Sequence, residues 1–136
     1  MARILGLDYG TKKCGLATTD PLQIIVTAID TISTVDILPY LKEYMLNEEV
    51  EKIVIGKPIH IDGNPTYLQE HIDLFVKKLI SIAPNIKVDY IDERLTSIQA
   101  KKIIFKSGIK KSKRRDKTLV DKISAVLILQ KYLNHI

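Results

Sequence analysis

The spacing of apolar positions changes period several times along the chain, and each change marks an element. Arg3–Tyr9 is a short apolar run that closes on Asp8, the pattern of a buried strand. A turn over Gly10–Lys12 leads into a second apolar run, Lys13–Thr19, and so short a connection makes the pair antiparallel. After Asp20-Pro21 the alternation over Ile24–Ile32 predicts a third strand. Thr34 or Asp36 can cap a helix with Leu38, Leu41 and Met45 on one face and Pro39 in its first turn. Glu51–Gly56 predicts a fourth strand, and its unbroken Ile53-Val54-Ile55 suits a sheet centre. Asp62-Gly63 reads as a turn, and Asn64-Pro65 as a cap with proline at the first helical position. The next helix carries Leu68, Ile72, Phe75 and Leu79 on one face. Lys87–Ile91 predicts a fifth strand, and Thr96-Ser97-Ile98-Gln99 is a capping box opening a helix to about Ser107. Thr118–Leu133 predicts a last helix, apolar nearly all round and therefore well buried.

Three strands in meander followed by alternating helices and strands specify an α/β fold: a five-stranded mixed sheet with helices on both faces. No repeat or linker interrupts residues 1–136, which are expected to form one domain. The fourth and fifth strands follow crossover helices and should be parallel. If the first joins them in parallel, Asp8 and the Asp92-Glu93 pair lie at carboxyl ends of strands on one edge of the sheet, where α/β sites are built.

Composition narrows the class. Apolar residues make up 46% of 136 and charged residues 27%, which is ordinary for a globular chain. The N-terminal apolar run breaks at Asp8 and is no secretory signal, and no run is long enough to span a bilayer. A lone Cys14 excludes an internal disulfide and a cysteine-based zinc site, and it suits a small hydrophobe on the second strand. A cytoplasmic location with no membrane partner is expected. Charge is uneven: Lys101–Lys117 holds nine Lys/Arg against Asp116 alone, a segment of +8 in a chain of net charge +5, so the remainder is −3. Such a limb suits a polyanionic partner, because each phosphate neutralised releases a counterion. A solvated charged loop has the same composition.

Three acidic positions have a geometric reason to converge: Asp8, Glu93 with its neighbour Asp92, and Asp121. Each also has a plain structural reading. Asp8 could be satisfied by backbone N–H groups in a turn, Glu93-Arg94 could be a surface ion pair, and Asp121 could serve only the dipole at the start of a helix. Lys/Arg-rich sequence beside clustered carboxylates nevertheless suits metal-assisted phosphodiester chemistry, since carboxylates are the hard oxygen donors that Mg²⁺ or Mn²⁺ prefers.

Leu5-Gly6-Leu7-Asp8-Tyr9-Gly10-Thr11-Lys12, Gly56-Lys57-Pro58, Asp62-Gly63, Asp92-Glu93-Arg94 and Val120-Asp121-Lys122-Ile123-Ser124-Ala125 occur in the order seen in the YqgF-type family, which the chain resembles over nearly its whole length. Members are pre-16S ribosomal RNA nucleases, also described as Holliday-junction-resolvase-like. The resemblance implies a ribonuclease H-like fold, Mg²⁺ or Mn²⁺ dependence, and trimming of the 5′ end of precursor 16S rRNA in ribosome biogenesis. On it, Asp8, Glu93 and Asp121 match the catalytic, metal-holding acids. The family's third motif commonly reads Gly-Leu-Pro-Leu-Asn; here Lys57 and His60 stand in place of its second and fifth residues.

The leading expectation is therefore a hydrolase, a metal-dependent endonuclease acting on structured RNA. Lys12, Lys13, Arg94, Lys110, Lys111, Lys113, Arg114 and Arg115 would hold phosphates, contacts that position substrate without reading sequence. One alternative is a resolvase of DNA junctions, which needs two active sites and hence a dimer; the chain itself suggests a monomer or weak homodimer. Another is a non-catalytic RNA-binding assembly factor. ATP handling is disfavoured: the strand-Asp-x-Gly-Thr pattern resembles actin-like ATPases, but those clamp nucleotide between two such domains, and no Gly-x-x-x-x-Gly-Lys-[Ser/Thr] loop is present.

Overall fold

The structure, a computed structural model, describes residues 2–57, 67–92 and 117–135, with side chains of the last segment described from 122 onward. Strands β1 (Arg3–Asp8), β2 (Lys13–Thr19) and β3 (Val26–Ser33) form an antiparallel meander. Strands β4 (Val50–Lys57) and β5 (Lys87–Asp92) pair in parallel, and β4 also pairs in parallel with β1. The sheet order is β3-β2-β1-β4-β5, with β1 at its centre.

Strand alternation sorts side chains to two faces. Leu5, Leu7, Leu16, Ile53 and Ile55 pack against Ile37 and Leu41 of α1 (Ile37–Asn47) and Ile72, Phe75 and Leu79 of α2 (Leu68–Ile82). Ile4, Ala17 and Val54 point the other way, against Ala125, Ile128 and Leu129 of α3 (Lys117–Tyr132). Cys14 is fully buried on the α1/α2 face, as expected of a small hydrophobe.

Several boundaries differ from expectation for identifiable reasons. β3 begins at Val26 rather than Ile24 because the Asp20 carboxylate accepts the backbone N–H groups of Ile24 (2.7 Å) and Ile25 (2.8 Å). That turn, with Gln23 at φ 60°, withdraws both isoleucines from the ladder and leaves them exposed. Neither Thr34 nor Asp36 caps α1 with its side chain. The helix from Thr96 and the Asn64-Pro65 start of the second helix lie outside the described residues.

Hydrogen bonds near its C-terminus fix the direction in which α3 crosses the sheet. Tyr132 accepts a hydrogen bond from Lys52 Nζ of β4 (2.6 Å) and donates one to Asp89 Oδ2 of β5 (2.7 Å). Lys52 lies early in β4, so the C-terminal end of α3 sits towards the amino ends of the parallel strands. Its N-terminal end therefore lies towards their carboxyl ends. Among the described residues, no helix is long and apolar enough to cross a membrane.

Candidate functional site

The parallel strands β1, β4 and β5 end at Asp8, Lys57 and Asp92, so all three residues stand on one edge of the sheet. Leu7 is level with Ile55, Gly56 with Ile91 and Lys57 with Asp92, which puts Asp8 beside Gly56. On its other side Asp8 faces Gly15 of β2. Asp8 alternates with the buried Leu7 and shares the α3 face with Gly6 and Ile4. Its lateral neighbours in the ladder on both sides are thus glycines, and Lys13 of β2 shares its face.

The helix α3 is seated directly over this row. A methyl group built on Gly6 would come within 2.5 Å of Leu129 Cγ and 3.0 Å of the Ala125 carbonyl oxygen. Asp121 precedes Ala125 by four residues, one helical turn of about 5.4–6 Å. Asp8 follows Gly6 by two strand residues, about 6.6–6.8 Å. Because the helix runs against the strand, both steps lead towards the same edge. Asp121 thus belongs to the helical stripe of Ala125, Ile128 and Tyr132, continued one turn towards the edge on which Asp8 stands. In the turn after it, the buried Ser124 hydroxyl has no hydrogen-bond partner among the described residues.

The turn between β1 and β2 is held from below. Thr34 donates its hydroxyl to the Gly10 carbonyl (2.7 Å) and its backbone N–H to the Lys12 carbonyl (2.9 Å), and Cys14 Sγ lies 3.6 Å from the Thr34 hydroxyl. Tyr9 packs on Phe75 with ring centroids 5.1 Å apart, and burial raises its phenol above the usual tyrosine range. Lys12 and Lys13 stand exposed on this turn, at the end of β1 that carries Asp8. Lys122, next to Asp121, lies 3.6 Å from Asp30 of β3.

Of the residues expected at the site, the structure brings Asp8, Lys12, Lys13 and the backbone turn of α3 that carries Asp121 to one region; the Asp121 side chain lies outside the described residues. Glu93, Arg94, Lys110, Lys111, Lys113, Arg114, Arg115 and His60 lie outside the described residues. Among the described residues, no three metal-ligating side chains cluster. Sequence reading missed Thr34 as the support of the turn, because a threonine before a helix carries the same signal as an N-cap. It also missed Gly15 and Gly56 as the neighbours of Asp8, a relation fixed by strand register alone.

A family model described as RuvX, Holliday junction resolvase, matches residues 2–135. The chain belongs to the RuvX family. Curated relatives of this RuvX chain extend along almost all of it. A protein of Christiangramia forsetii named "Putative pre-16S rRNA nuclease" is 44% identical over 98% of both chains, and one of Porphyromonas gingivalis with the same name is 45% identical over 99% of this chain and 98% of its own. Among solved structures, Thermus thermophilus RuvC in complex with a Holliday junction substrate superposes with a TM-score of 0.57 at 13% identity, covering 98% of this chain and 96% of that one. A second T. thermophilus RuvC structure gives 0.53 at 11% identity, covering 97% and 96%. These likenesses show that the RuvX chain has the RuvC fold, which is ribonuclease H-like.

Proposed function

We propose that this RuvX-family chain is one nuclease domain that hydrolyses RNA phosphodiester bonds with divalent metal assistance, processing the 5′ end of precursor 16S rRNA. The observation that carries the reading is Asp8: a carboxylate at the end of the central strand, between two glycines, beneath the end of the helix that bears Asp121. Family membership and the names of the curated relatives support the substrate class.

The donor set fits Mg²⁺ or Mn²⁺, since every candidate ligand is a carboxylate and a hard oxygen donor. Asp8, Glu93 and Asp121 would hold the metal, which when bound would supply an activated water and charge stabilisation for the leaving oxygen. Alternation in β5 favours Glu93 over Asp92. Asp89 and Ile91 share the α3 face, as their contacts to Tyr132 and to the α3 cluster require, and Asp92 falls on the other. The acid two positions beyond Ile91 is Glu93. β1 and β5 stand two strand spacings apart, about 9.4–9.8 Å, and between them, level with Asp8 and Ile91, lies Gly56. Lys12 and Lys13 are placed to hold substrate phosphates beside Asp8, with Arg94 and the Lys110–Arg115 segment as further cations. They fix the substrate's position and leave sequence choice to RNA shape. Such a substrate implies action in the cytoplasm.

The test is cleavage of a precursor 16S rRNA 5′ fragment with Mg²⁺ or Mn²⁺. Asp8→Asn and Asp121→Asn should each lose more than the roughly 10–100-fold typical of an outer-shell defect while still binding RNA. Undiminished cleavage by either variant would refute the reading. The family description names junction resolution, so a four-way DNA junction belongs in the same assay, with the oligomeric state measured alongside. Faster cutting of the junction by a stable dimer would reassign the substrate.

A further inference from the structure

The contact between Gly6 and α3 goes beyond general packing. We propose that Gly6 is a positioning residue: its missing side chain sets how closely α3 approaches β1, and thereby the separation of the Asp121 turn from Asp8. The proposal rests on the metal-site reading above and assigns Gly6 no contact with substrate or ion.

A methyl at Gly6 would lie 2.5 Å from Leu129 Cγ, 3.1 Å from Leu129 Cδ1 and 3.0 Å from the Ala125 carbonyl oxygen. Carbon atoms attract best at about 3.5–4.0 Å, so the first contact alone requires a displacement of about 1 Å or more. Little can absorb it locally. Leu129 and Ala125 are fully buried, and the carbonyl belongs to the helical backbone. Tyr132, one turn further on, is tied to both Lys52 and Asp89 and resists sliding at the far end. The displacement therefore passes to the N-terminal half of α3, the half that carries Asp121. Metal ligand distances tolerate only about ±0.2 Å, so a shift of this size is too large for a shared ion even where the fold survives. Gly6 stands two residues from Asp8 on the same face, which makes it the strand position closest to both the helix contact and the acid.

The test is Mn²⁺ affinity of the full-length chain by titration calorimetry, with thermal melting in parallel. Gly6→Ala should weaken Mn²⁺ binding about 10–100-fold. Gly6→Ala combined with Leu129→Ala removes the two nearest carbons, and it should return affinity to within about threefold of wild type while melting lower than wild type. Recovery of affinity without recovery of stability is a result that a merely structural glycine would not give. Leu79→Ala, on the opposite face of the sheet, should lower the melting temperature and leave Mn²⁺ affinity unchanged. Wild-type affinity in Gly6→Ala, no recovery in a folded double variant, or equal loss in Leu79→Ala would each overturn the assignment. Should Gly6→Ala fail to fold, the double variant alone decides it by the same criterion. Absence of Mn²⁺ binding by the wild type would instead sink the metal-site reading, and this inference with it.

Discussion

Tyr132→Phe isolates the hydroxyl that fastens the C-terminal end of α3 to the sheet. The group accepts from Lys52 Nζ at 2.6 Å and donates to Asp89 Oδ2 at 2.7 Å, while Lys52 also lies 5.0 Å from the ring centroid. Hydrogen bonds to charged partners contribute about 1.5–3 kcal/mol each when well shielded. Asp89 is exposed and Lys52 only half-buried, so water replaces much of what is lost, and the ring–cation contact survives in phenylalanine. The net loss should be about 1 kcal/mol, or roughly 3–5 °C in melting temperature for a chain of this length. The hydrogen bond from Tyr132, with help from the Tyr90 backbone N–H, holds the Asp89 carboxyl below its usual range. A lowered carboxylate pKa stabilises the fold above the unfolded-state value of about 3.9, and that contribution disappears as pH falls through the lower folded value. The difference between wild type and variant, followed by circular dichroism melts from pH 7 to pH 3, should therefore shrink towards the acid end. Equal melting temperatures at pH 7, or a gap that stays constant down to pH 3, would refute the tether.

Two buried hydroxyls make opposite predictions. Thr19→Val removes the acceptor of the Ile4 N–H (3.0 Å) and the donor to the Asp20 carbonyl (2.8 Å), and urea unfolding should show a loss of about 1–3 kcal/mol. Ser124→Ala removes a buried hydroxyl with no partner among the described residues and should be neutral or slightly stabilising in the same assay. Lys12→Glu with Lys13→Glu should weaken RNA binding and flatten its dependence on salt concentration by about 1–2 in log–log slope, read by filter binding across a salt series. Chelation of divalent ions with EDTA should abolish cleavage, and added Mg²⁺ or Mn²⁺ should restore it.

Much of the fold was legible because its period changes are sharp. The Gly10–Lys12 turn forced an antiparallel pair, and the unbroken Ile53-Val54-Ile55 run announced a strand covered on both faces. The misreadings share a cause, a short polar side chain that bonds the backbone where no pattern marks it. Asp20 takes the N–H groups of Ile24 and Ile25 and shortens β3, and Thr34 serves the β1–β2 turn rather than α1. At the site, the common edge of Asp8 and Asp92 could be anticipated only on the condition that β1 joins β4 in parallel, which the sheet meets. The approach of α3 could not, because it depends on Gly6 meeting Ala125 and Leu129 across more than a hundred residues of chain. The two glycines beside Asp8 likewise become neighbours only through register.

In the proposed site, carboxylates from β1, from the residue after β5 and from α3 would hold the same metal. A crystal soaked in Mn²⁺ and measured at the manganese edge tests it most directly. Anomalous density should lie within about 2.5 Å of oxygens from Asp8, Glu93 and Asp121 together. Carboxylates of these residues standing more than about 10 Å apart, or manganese bound elsewhere with Asp8 untouched, would contradict it.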